Sequence, residues 1–147
     1  PSVTDCAVTP PHLGNGEVNT CQTIFFHKES SMSGFLTFDR STVTPEHERP
    51  KPERVIDGNP QFTTWLLETT PDEKTYAGYW AATPGVWRVS YDEWEYCTIL
   101  EGHAIVTEDG QPPVTLKAGD HIVFRNGYQG QWQVIAPVLK TFVIILP

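Results

Sequence analysis

Residues 85–102 of this chain read GVWRVSYDEWEYCTILEG, residues 116–120 read LKAGD and residues 126–132 read NGYQGQW. Each segment joins a short run of apolar residues to a glycine that is typical of a turn. The pattern predicts a strand at Tyr96–Leu100 that ends in a turn at Leu100-Glu101-Gly102. Closely spaced strands of this kind favour an all-β fold.

The chain from Thr63 onward supports this fold class. Short apolar runs follow one another between turn signals, at the roughly 8–12-residue spacing of β-sandwiches and β-barrels. Glu108-Asp109-Gly110 is predicted as a tight primed turn, because Asp-Gly accepts the positive φ angles that such a turn needs. Ala118-Gly119-Asp120 is predicted as another turn, with the Asp120 side chain bonded to turn amides. The predicted strands are Thr63–Thr69, Tyr76–Ala82, Gly85–Val89, Tyr96–Leu100, His103–Thr107, Val114–Lys117, His121–Phe124, Gln131–Ile135 and Leu139–Leu146.

The first sixty residues differ from the rest. Thr23–His27 and Gly34–Arg40 alternate between apolar and polar side chains, which predicts two early strands. Residues 43–60 carry four prolines among charged residues. Because such a composition pairs poorly in a sheet, we interpret this segment as a linker. We therefore expect an N-terminal extension, residues 1–54, that packs on a barrel formed by residues 55–147.

Composition narrows the class of protein. The 147 residues are 39% hydrophobic, which suits one globular domain. No run of 18 apolar residues is present and the first residues lack a signal-sequence pattern, so we expect a cytoplasmic protein that does not associate with membranes. Cys6, Cys21 and Cys97 are odd in number and widely spaced, which favours reduced thiols over a disulfide framework or a zinc site. A net charge of -8 without a basic cluster disfavours nucleic acid as a partner.

A longer series of landmarks lies along residues 55–147. The landmarks are Gly58-Asn59-Pro60, Thr64-Trp65, Gly78-Tyr79-Trp80, Thr83-Pro84-Gly85, Glu95, Ile99-Leu100-Glu101-Gly102, Ala118-Gly119-Asp120, Gly127, Gly130, Trp132 and Pro137-Val138-Leu139-Lys140. Over these residues the chain resembles the single-domain cupins of the third cupin family, which is related to the ethanolamine-utilisation cupin and, more distantly, to the ureidoglycine aminohydrolases. The resemblance implies a jelly-roll β-barrel, commonly dimeric and of unassigned activity. The chain departs from the family at Ala81, which follows the Gly-x-Trp segment, and at Arg125, near the mouth of the barrel.

The metal ligands of ordinary cupins are mostly missing. Such cupins hold a divalent metal with a His-x-His pair, a glutamate and a third histidine, and the resemblance matches only the glutamate, at Glu95. The positions of the pair fall near Val89 and Tyr91, or one residue earlier, and the third histidine falls at Gly130. Gly130 fits either an enlarged cavity or a tight backbone crossing. Because one carboxylate cannot complete a coordination shell, we expect no bound metal and no cofactor.

Glu95 is the centre of the candidate site. Side chains alternate across a strand, so Glu95 and Cys97 share one face, and the cupin position of Glu95 turns that face into the barrel. A carboxylate in an apolar interior is costly unless it is paired, so we interpret Glu95 as a catalytic or ligand-binding group with Lys140 as its counter-charge. Tyr91 and Trp132 add an aromatic surface for a flat or apolar ligand. The alternatives are a solvated Glu95 at the rim, an edge Lys140 that reaches water, and aromatic rings that only fill the barrel.

Three functions remain open at this point. The first is metal-free binding of a small molecule in a cavity lined by these five residues. The second is an enzyme acting on a small carbonyl, ureido or amino compound, with Glu95 as acid or base and an atypical metal completed by Tyr91, His103 or His121. The third is a structural or regulatory dimer with a filled barrel. In addition we expect a homodimer, because the edges of the two early strands at Thr23–Phe26 and Gly34–Phe38 invite pairing.

Overall fold

The computed structural model describes residues 33–147, in which nine antiparallel strands form one curled sheet. The all-β prediction is confirmed, and the only helical turns in this part of the chain are two short 3-10 turns at Arg40–Thr42 and Pro52–Arg54. No helix between residues 33 and 147 is long and apolar enough to cross a membrane. The strands are β1 (Glu46–Glu48), β2 (Val55–Gly58), β3 (Phe62–Thr69), β4 (Thr75–Ala82), β5 (Gly85–Ser90), β6 (Trp94–Glu108), β7 (Val114–Lys117), β8 (His121–Phe124) and β9 (Gln129–Ile145).

Two long strands, β6 and β9, organise the barrel. One edge of β9 pairs with β5 through its first half and with β4 through its second half, while the other edge pairs with β6. The sheet extends from β4 to β3 and β1, and from β5 to β2. On the far side, β8 pairs with the first half of β6 and β7 with the second half. This pairing curls the sheet around one interior, where most of the buried apolar side chains lie.

The turn predicted at Leu100-Glu101-Gly102 is instead a bulged bend inside β6. The pairing of β6 with β9 shifts register between Ile99 and Ala104, and Gly102 has φ +95°. A side chain at Gly102 would overlap the carbonyl oxygen of Pro137 on β9, so only glycine fits this close approach. Because a bulge bends a long strand without ending it, the two predicted strands on either side of Gly102 are one strand, β6, and the two on either side of Pro137 are one strand, β9. The prediction of separate strands on either side of Gly102 and of Pro137 is wrong.

The two other predicted turns lie where the sequence places them. At the first, Gln111 N–H donates to the Glu108 carbonyl at 3.0 Å, and Gly110 has positive φ while Asp109 does not. The primed geometry is therefore wrong, because a primed Asp-Gly turn needs positive φ at both residues. At the second, the Asp120 side chain accepts a hydrogen bond from Lys117 N–H at 2.8 Å, as predicted.

The predicted strand at Gly34–Arg40 is wrong. No strand among residues 33–147 pairs with this segment: Phe35 is 77% exposed, and the chain enters a 3-10 turn after Asp39. The Asp39 carboxylate accepts from Ser41 N–H at 2.9 Å and so caps that turn. Residues after Gly34 nevertheless lie on the outside of the barrel, because the Tyr79 hydroxyl donates to the Phe38 carbonyl at 3.2 Å. The other predicted early strand, Thr23–His27, and the cysteines at 6 and 21 lie outside the described residues.

The linker interpretation of residues 43–60 is also wrong for β1 and β2. β1 pairs with the start of β3 and β2 pairs with β5. All four prolines of this segment lie outside the two strands, so none of them removes a donor from the ladder. The prediction relied on the composition of the whole segment, and it therefore missed the two short runs between the prolines that pair with β3 and β5.

Candidate functional site

The inward face of β6 carries the candidate acid. Glu95, Cys97 and Ile99 are 0%, 0% and 1% exposed, while the alternate residues between them are partly exposed. Cys97 lies opposite Ile122 of β8 and Phe142 of β9. The alternation predicted for this strand is therefore present, and Glu95 lies in the interior and not at the rim.

Lys140 of β9 meets Glu95 inside the barrel. Its Nζ atom lies 2.6 Å from Oε1 of Glu95 and 3.1 Å from Sγ of Cys97. The side chains of Glu95 and Lys140 are both fully buried. Lys140 is therefore an interior counter-charge, and the alternative of an edge lysine that reaches water does not hold.

Two indole rings enclose the ammonium of Lys140. Its Nζ atom is 4.9 Å from the ring centre of Trp80 and 5.3 Å from that of Trp132. Burial acts to lower the pKa of Lys140, but the charge of the Glu95 carboxylate and the hydrogen bonds to Glu95 and Cys97 raise it by more, so the pKa lies above its ordinary value. The ammonium therefore stays charged at neutral pH.

The thiol of Cys97 is held in its neutral form. Burial raises the pKa of the Cys97 thiol, and the negative charge of Glu95 raises it further, although Lys140 acts in the opposite direction. A thiol that stays protonated is a poor nucleophile. Cys97 therefore contributes a hydrogen-bond acceptor to Lys140 and not a reactive thiolate.

Tyr91 and Trp132 belong to the same interior. The Nε1–H group of Trp132 donates to the Tyr91 hydroxyl at 3.2 Å, and both residues are 0% exposed. The Tyr91 ring stacks on Phe124 with 4.6 Å between ring centres. The loop after β8 is tied to Tyr91 as well, because Gly127 N–H donates to the Tyr91 carbonyl at 2.7 Å. All five site residues predicted from the sequence thus lie in one buried cluster.

Trp80 and Trp87 complete this cluster and were not predicted as site residues. Trp80 pairs with Lys140 across β4 and β9, and Trp87 pairs with Trp132 across β5 and β9. The ring of Trp87 lies nearly parallel to that of Trp132, with 6.4 Å between centres. The sequence does show one tryptophan at an inward position of each of two predicted strands. The residues that these tryptophans contact, however, depend on pairing with a strand far along the chain.

Three polar atoms of the cluster have no hydrogen-bond partner among the described residues. They are Oε2 of Glu95 and the Nε1 atoms of Trp80 and Trp87, all of them buried. Buried polar groups in proteins are nearly always hydrogen-bonded, so each of these atoms calls for an explanation. The unpaired set consists of one carboxylate acceptor and two N–H donors.

The residues present do not fit a metal centre. Val89, Tyr91 and Gly130 offer no imidazole at the expected ligand positions, and Lys140 directs an ammonium at Glu95. Within residues 33–147 no three histidine, cysteine or acidic side chains come together as a metal site. A side chain at Gly130 would overlap the Thr107 carbonyl oxygen, so this position is a tight backbone crossing.

The two histidines considered as ligands lie elsewhere. His121 is exposed on the outer face, where its Nδ1 atom is 2.8 Å from the Tyr96 hydroxyl. The bulge in β6 reverses the phase of alternation, so Ala104 is buried and His103 lies on the opposite face. His103 and His121 therefore do not converge with Tyr91, so the enzyme alternative with an atypical metal lacks the arrangement that would favour it.

Solved structures resemble this chain in fold. A protein of unknown function from Pseudomonas syringae pv. tomato is 22% identical, with a TM-score of 0.65 over 73% of this chain and 46% of that one. This chain therefore spans less than half of that relative. The EutQ protein of Clostridium difficile is 17% identical, with a TM-score of 0.55 over 76% of this chain and 81% of that one. A protein from Thermotoga maritima described as a predicted oxalate decarboxylase is 18% identical, with a TM-score of 0.58 over 76% of this chain and all of that one.

Identities this low establish a shared fold and nothing about activity. No curated protein matches this chain in sequence. The family assignment comes from the sequence pattern of the barrel itself, which agrees with the EutQ-like cupin domain over residues 69–142. The chain is a cupin and belongs to the EutQ-like cupin family.

Proposed function

We propose that this cupin binds a small neutral molecule inside its barrel, without a metal. The observation that supports the proposal is the set of unpaired buried atoms beside the Glu95–Lys140 pair: Oε2 of Glu95 and the Nε1 atoms of Trp80 and Trp87. A ligand with both a hydrogen-bond acceptor and a donor would satisfy them.

The energetics favour a ligand over simple filling of the barrel. An unpaired buried polar atom costs about 1–3 kcal/mol, so three such atoms are a considerable loss for a domain of this size. Replacing a buried ion pair by apolar side chains is often neutral or stabilising. A barrel that only needed to be filled would gain stability from apolar residues at 95 and 140, so the polar interior is better explained by a bound molecule.

The local charge favours a neutral ligand. The Glu95 carboxylate and the Lys140 ammonium neutralise one another at 2.6 Å, so a charged ligand would have no counter-charge left. The indole rings of Trp80, Trp87 and Trp132 favour a flat molecule. Small amides and ureas meet these requirements, since a planar carbonyl accepts from N–H groups and an adjacent N–H donates to a carboxylate oxygen.

Acid–base catalysis at Glu95 is the second candidate function. It is favoured by the free Oε2 atom, which is placed to accept a proton from a bound carbonyl, ureido or amino compound. Covalent catalysis is less well supported, because Lys140 is a charged ammonium and Cys97 a neutral thiol. A filled structural barrel is the third candidate, and the complete burial of these side chains favours it.

One experiment separates these functions. A panel of neutral amides and ureas is tested for thermal stabilisation of the wild type, of E95Q/K140M and of E101Q, a control in which an exposed acid on the same strand is changed. Binding predicts stabilisation of the wild type and of E101Q but not of E95Q/K140M, and turnover of the hits tests for catalysis. If no compound of the panel stabilises the wild type, the filled barrel is correct.

We also infer a reducing compartment, the cytoplasm, and a homodimer. The first inference is supported by Cys97, a free and buried thiol. The second is supported by apolar side chains on the outer face of the sheet, where Trp94 pairs with Ile145 and the two are 37% and 44% exposed. Val123 of the neighbouring β8 is 40% exposed and extends this face.

A further inference from the structure

A second concave site opens on the other side of Phe124 from the buried cluster. β6 bends at Gly102, and β7 and β8 pair with its two halves, so these two short strands diverge from the corner at Gly119. A groove of about 380 Å³ lies between the start of β7 and the end of β8. This volume falls in the lower part of the range of small-molecule sites, about 300–1,000 Å³.

The wall of the groove is apolar. Val106, Val114, Ile122 and Phe124 line it, and Phe124 stacks on Tyr91 with its ring planes 1° apart. Because Phe124 is itself 1% exposed and packed from behind, the wall is preformed. Such a wall can accept an aromatic ring or a branched aliphatic chain of a ligand.

The rim of the groove carries a free cation. Arg125 lies at the mouth, is exposed, and makes no ion pair or side-chain hydrogen bond within residues 33–147. By contrast, the guanidinium of Arg88 is held by the carboxylate of Asp109 through two hydrogen bonds of 2.6 Å. A guanidinium that the protein leaves unpaired is free to bind a carboxylate in bidentate geometry.

The loop that carries Arg125 is held in place. Tyr128 N–H donates to the Arg125 carbonyl at 3.0 Å, and Gly127 N–H donates to the Tyr91 carbonyl. The Tyr128 ring packs edge-on against Phe124 with 4.9 Å between centres, and its buried hydroxyl has no partner among the described residues. The groove therefore offers a cation on an anchored backbone beside an apolar wall.

The charges on the rim define the class of ligand. The chain has a net charge of -8, so anions are repelled by most of its surface, and an unpaired arginine beside an apolar groove is a local exception. Glu108 also lies on the rim and would repel an anionic group placed at its end of the groove. The anionic end of a ligand is therefore directed to Arg125.

We propose that this groove binds a small carboxylate with an apolar body, with the carboxylate on Arg125 and the body against Ile122 and Val114. The site is separate from the interior cluster and does not depend on the Glu95–Lys140 pair. It differs in selectivity as well, since the interior is neutral and the groove has a free positive charge.

The test uses phenylacetate and its neutral isostere phenylacetamide. Both are titrated into methyl-labelled full-length protein and followed by NMR. The expected result is that phenylacetate shifts the methyl signals of Val106, Val114 and Ile122 and, as measured at these methyls, binds at least about tenfold more tightly than the amide.

Three variants complete the experiment. R125Q should remove the preference for the acid over the amide, while R49Q, a control at another exposed arginine, should keep it. E95Q/K140M should bind phenylacetate as the wild type does, which keeps this site distinguishable from the interior one. Equal binding of acid and amide by the wild type, methyl shifts elsewhere, retained preference in R125Q, or loss of phenylacetate binding in E95Q/K140M would each overturn the proposal.

Discussion

Removing the ammonium of Lys140 should destabilise the protein strongly, while removing both charges of the buried pair should not. In K140M the methionine fills much of the volume of the lysine stem, but Glu95 keeps a fully buried carboxylate without its partner at 2.6 Å. Breaking a buried ion pair in this way costs about 3–5 kcal/mol. The loss of two close cation–π contacts, with Trp80 and Trp132, acts in the same direction.

E95Q should be destabilising for the complementary reason, because it leaves the Lys140 ammonium without a counter-charge. In E95Q/K140M neither charge remains, and the cost reduces to an imperfectly bonded amide, about 1–3 kcal/mol. The double variant should therefore be more stable than either single variant, with a coupling free energy of several kcal/mol, within the range of about 1.5–7 kcal/mol measured for close charge pairs.

Urea unfolding measures these differences as shifts in midpoint at constant slope. At about 3–5 °C per kcal/mol, K140M should also lower the melting temperature by about 9–25 °C. K117M, at an exposed lysine of β7, is the control and should stay within about 0.5 kcal/mol of the wild type. If the single losses simply add in E95Q/K140M, or if K140M unfolds like the control, the buried pair does not have the energetic role given to it here.

Three further predictions concern reactivity, the bend and assembly. In a C6S/C21S background Cys97 should resist alkylation from pH 7 to 10, because its pKa is raised, and rapid labelling of the folded protein would contradict this. The free energy of unfolding should also fall above the ordinary thiol pKa, because only the unfolded chain releases the Cys97 proton there. G102A should cost at least about 2 kcal/mol in urea unfolding, because alanine is strained at φ +95° and meets the β9 backbone; an unchanged midpoint would show that the bend tolerates a side chain. Light scattering at high micromolar concentration should show a dimer for the wild type and a monomer for I145E, and a monomeric wild type would remove the homodimer from consideration.

The inward face of β6 could be predicted because alternation is a local property. Glu95 and Cys97 lie two residues apart on one strand, so their shared face follows from the backbone alone. The contact of Lys140 with Glu95 could not be derived from alternation alone, because it depends on the pairing of Ile99 with Lys140 across β6 and β9. A charged residue inside an apolar run was the only local sign of this contact.

Local reasoning failed where partners or bulges decide the outcome. Gly34–Arg40 alternates as well as β6 does, but no strand of the described part of the chain pairs with it and its aromatic residues remain exposed. The bulge near Gly102 changes which face the later residues of β6 occupy, so His103 could not be placed by counting from Glu95. Trp80 and Trp87 were missed because their neighbours lie on β9, far along the chain.

The interior cluster and the groove differ in how their charges are arranged, and this difference gives a final prediction. The interior pairs Glu95 with Lys140 and is neutral, whereas the groove has the free guanidinium of Arg125. Phe124 separates them as a rigid, stacked wall, so a change of charge on one side should not reorganise the other. The effects of R125Q and E95Q/K140M on phenylacetate and neutral-amide binding should therefore be additive within about 0.5 kcal/mol in the combined variant. A larger coupling would mean that Phe124 moves when either site is filled, and the barrel would then have one divided site in place of two independent ones.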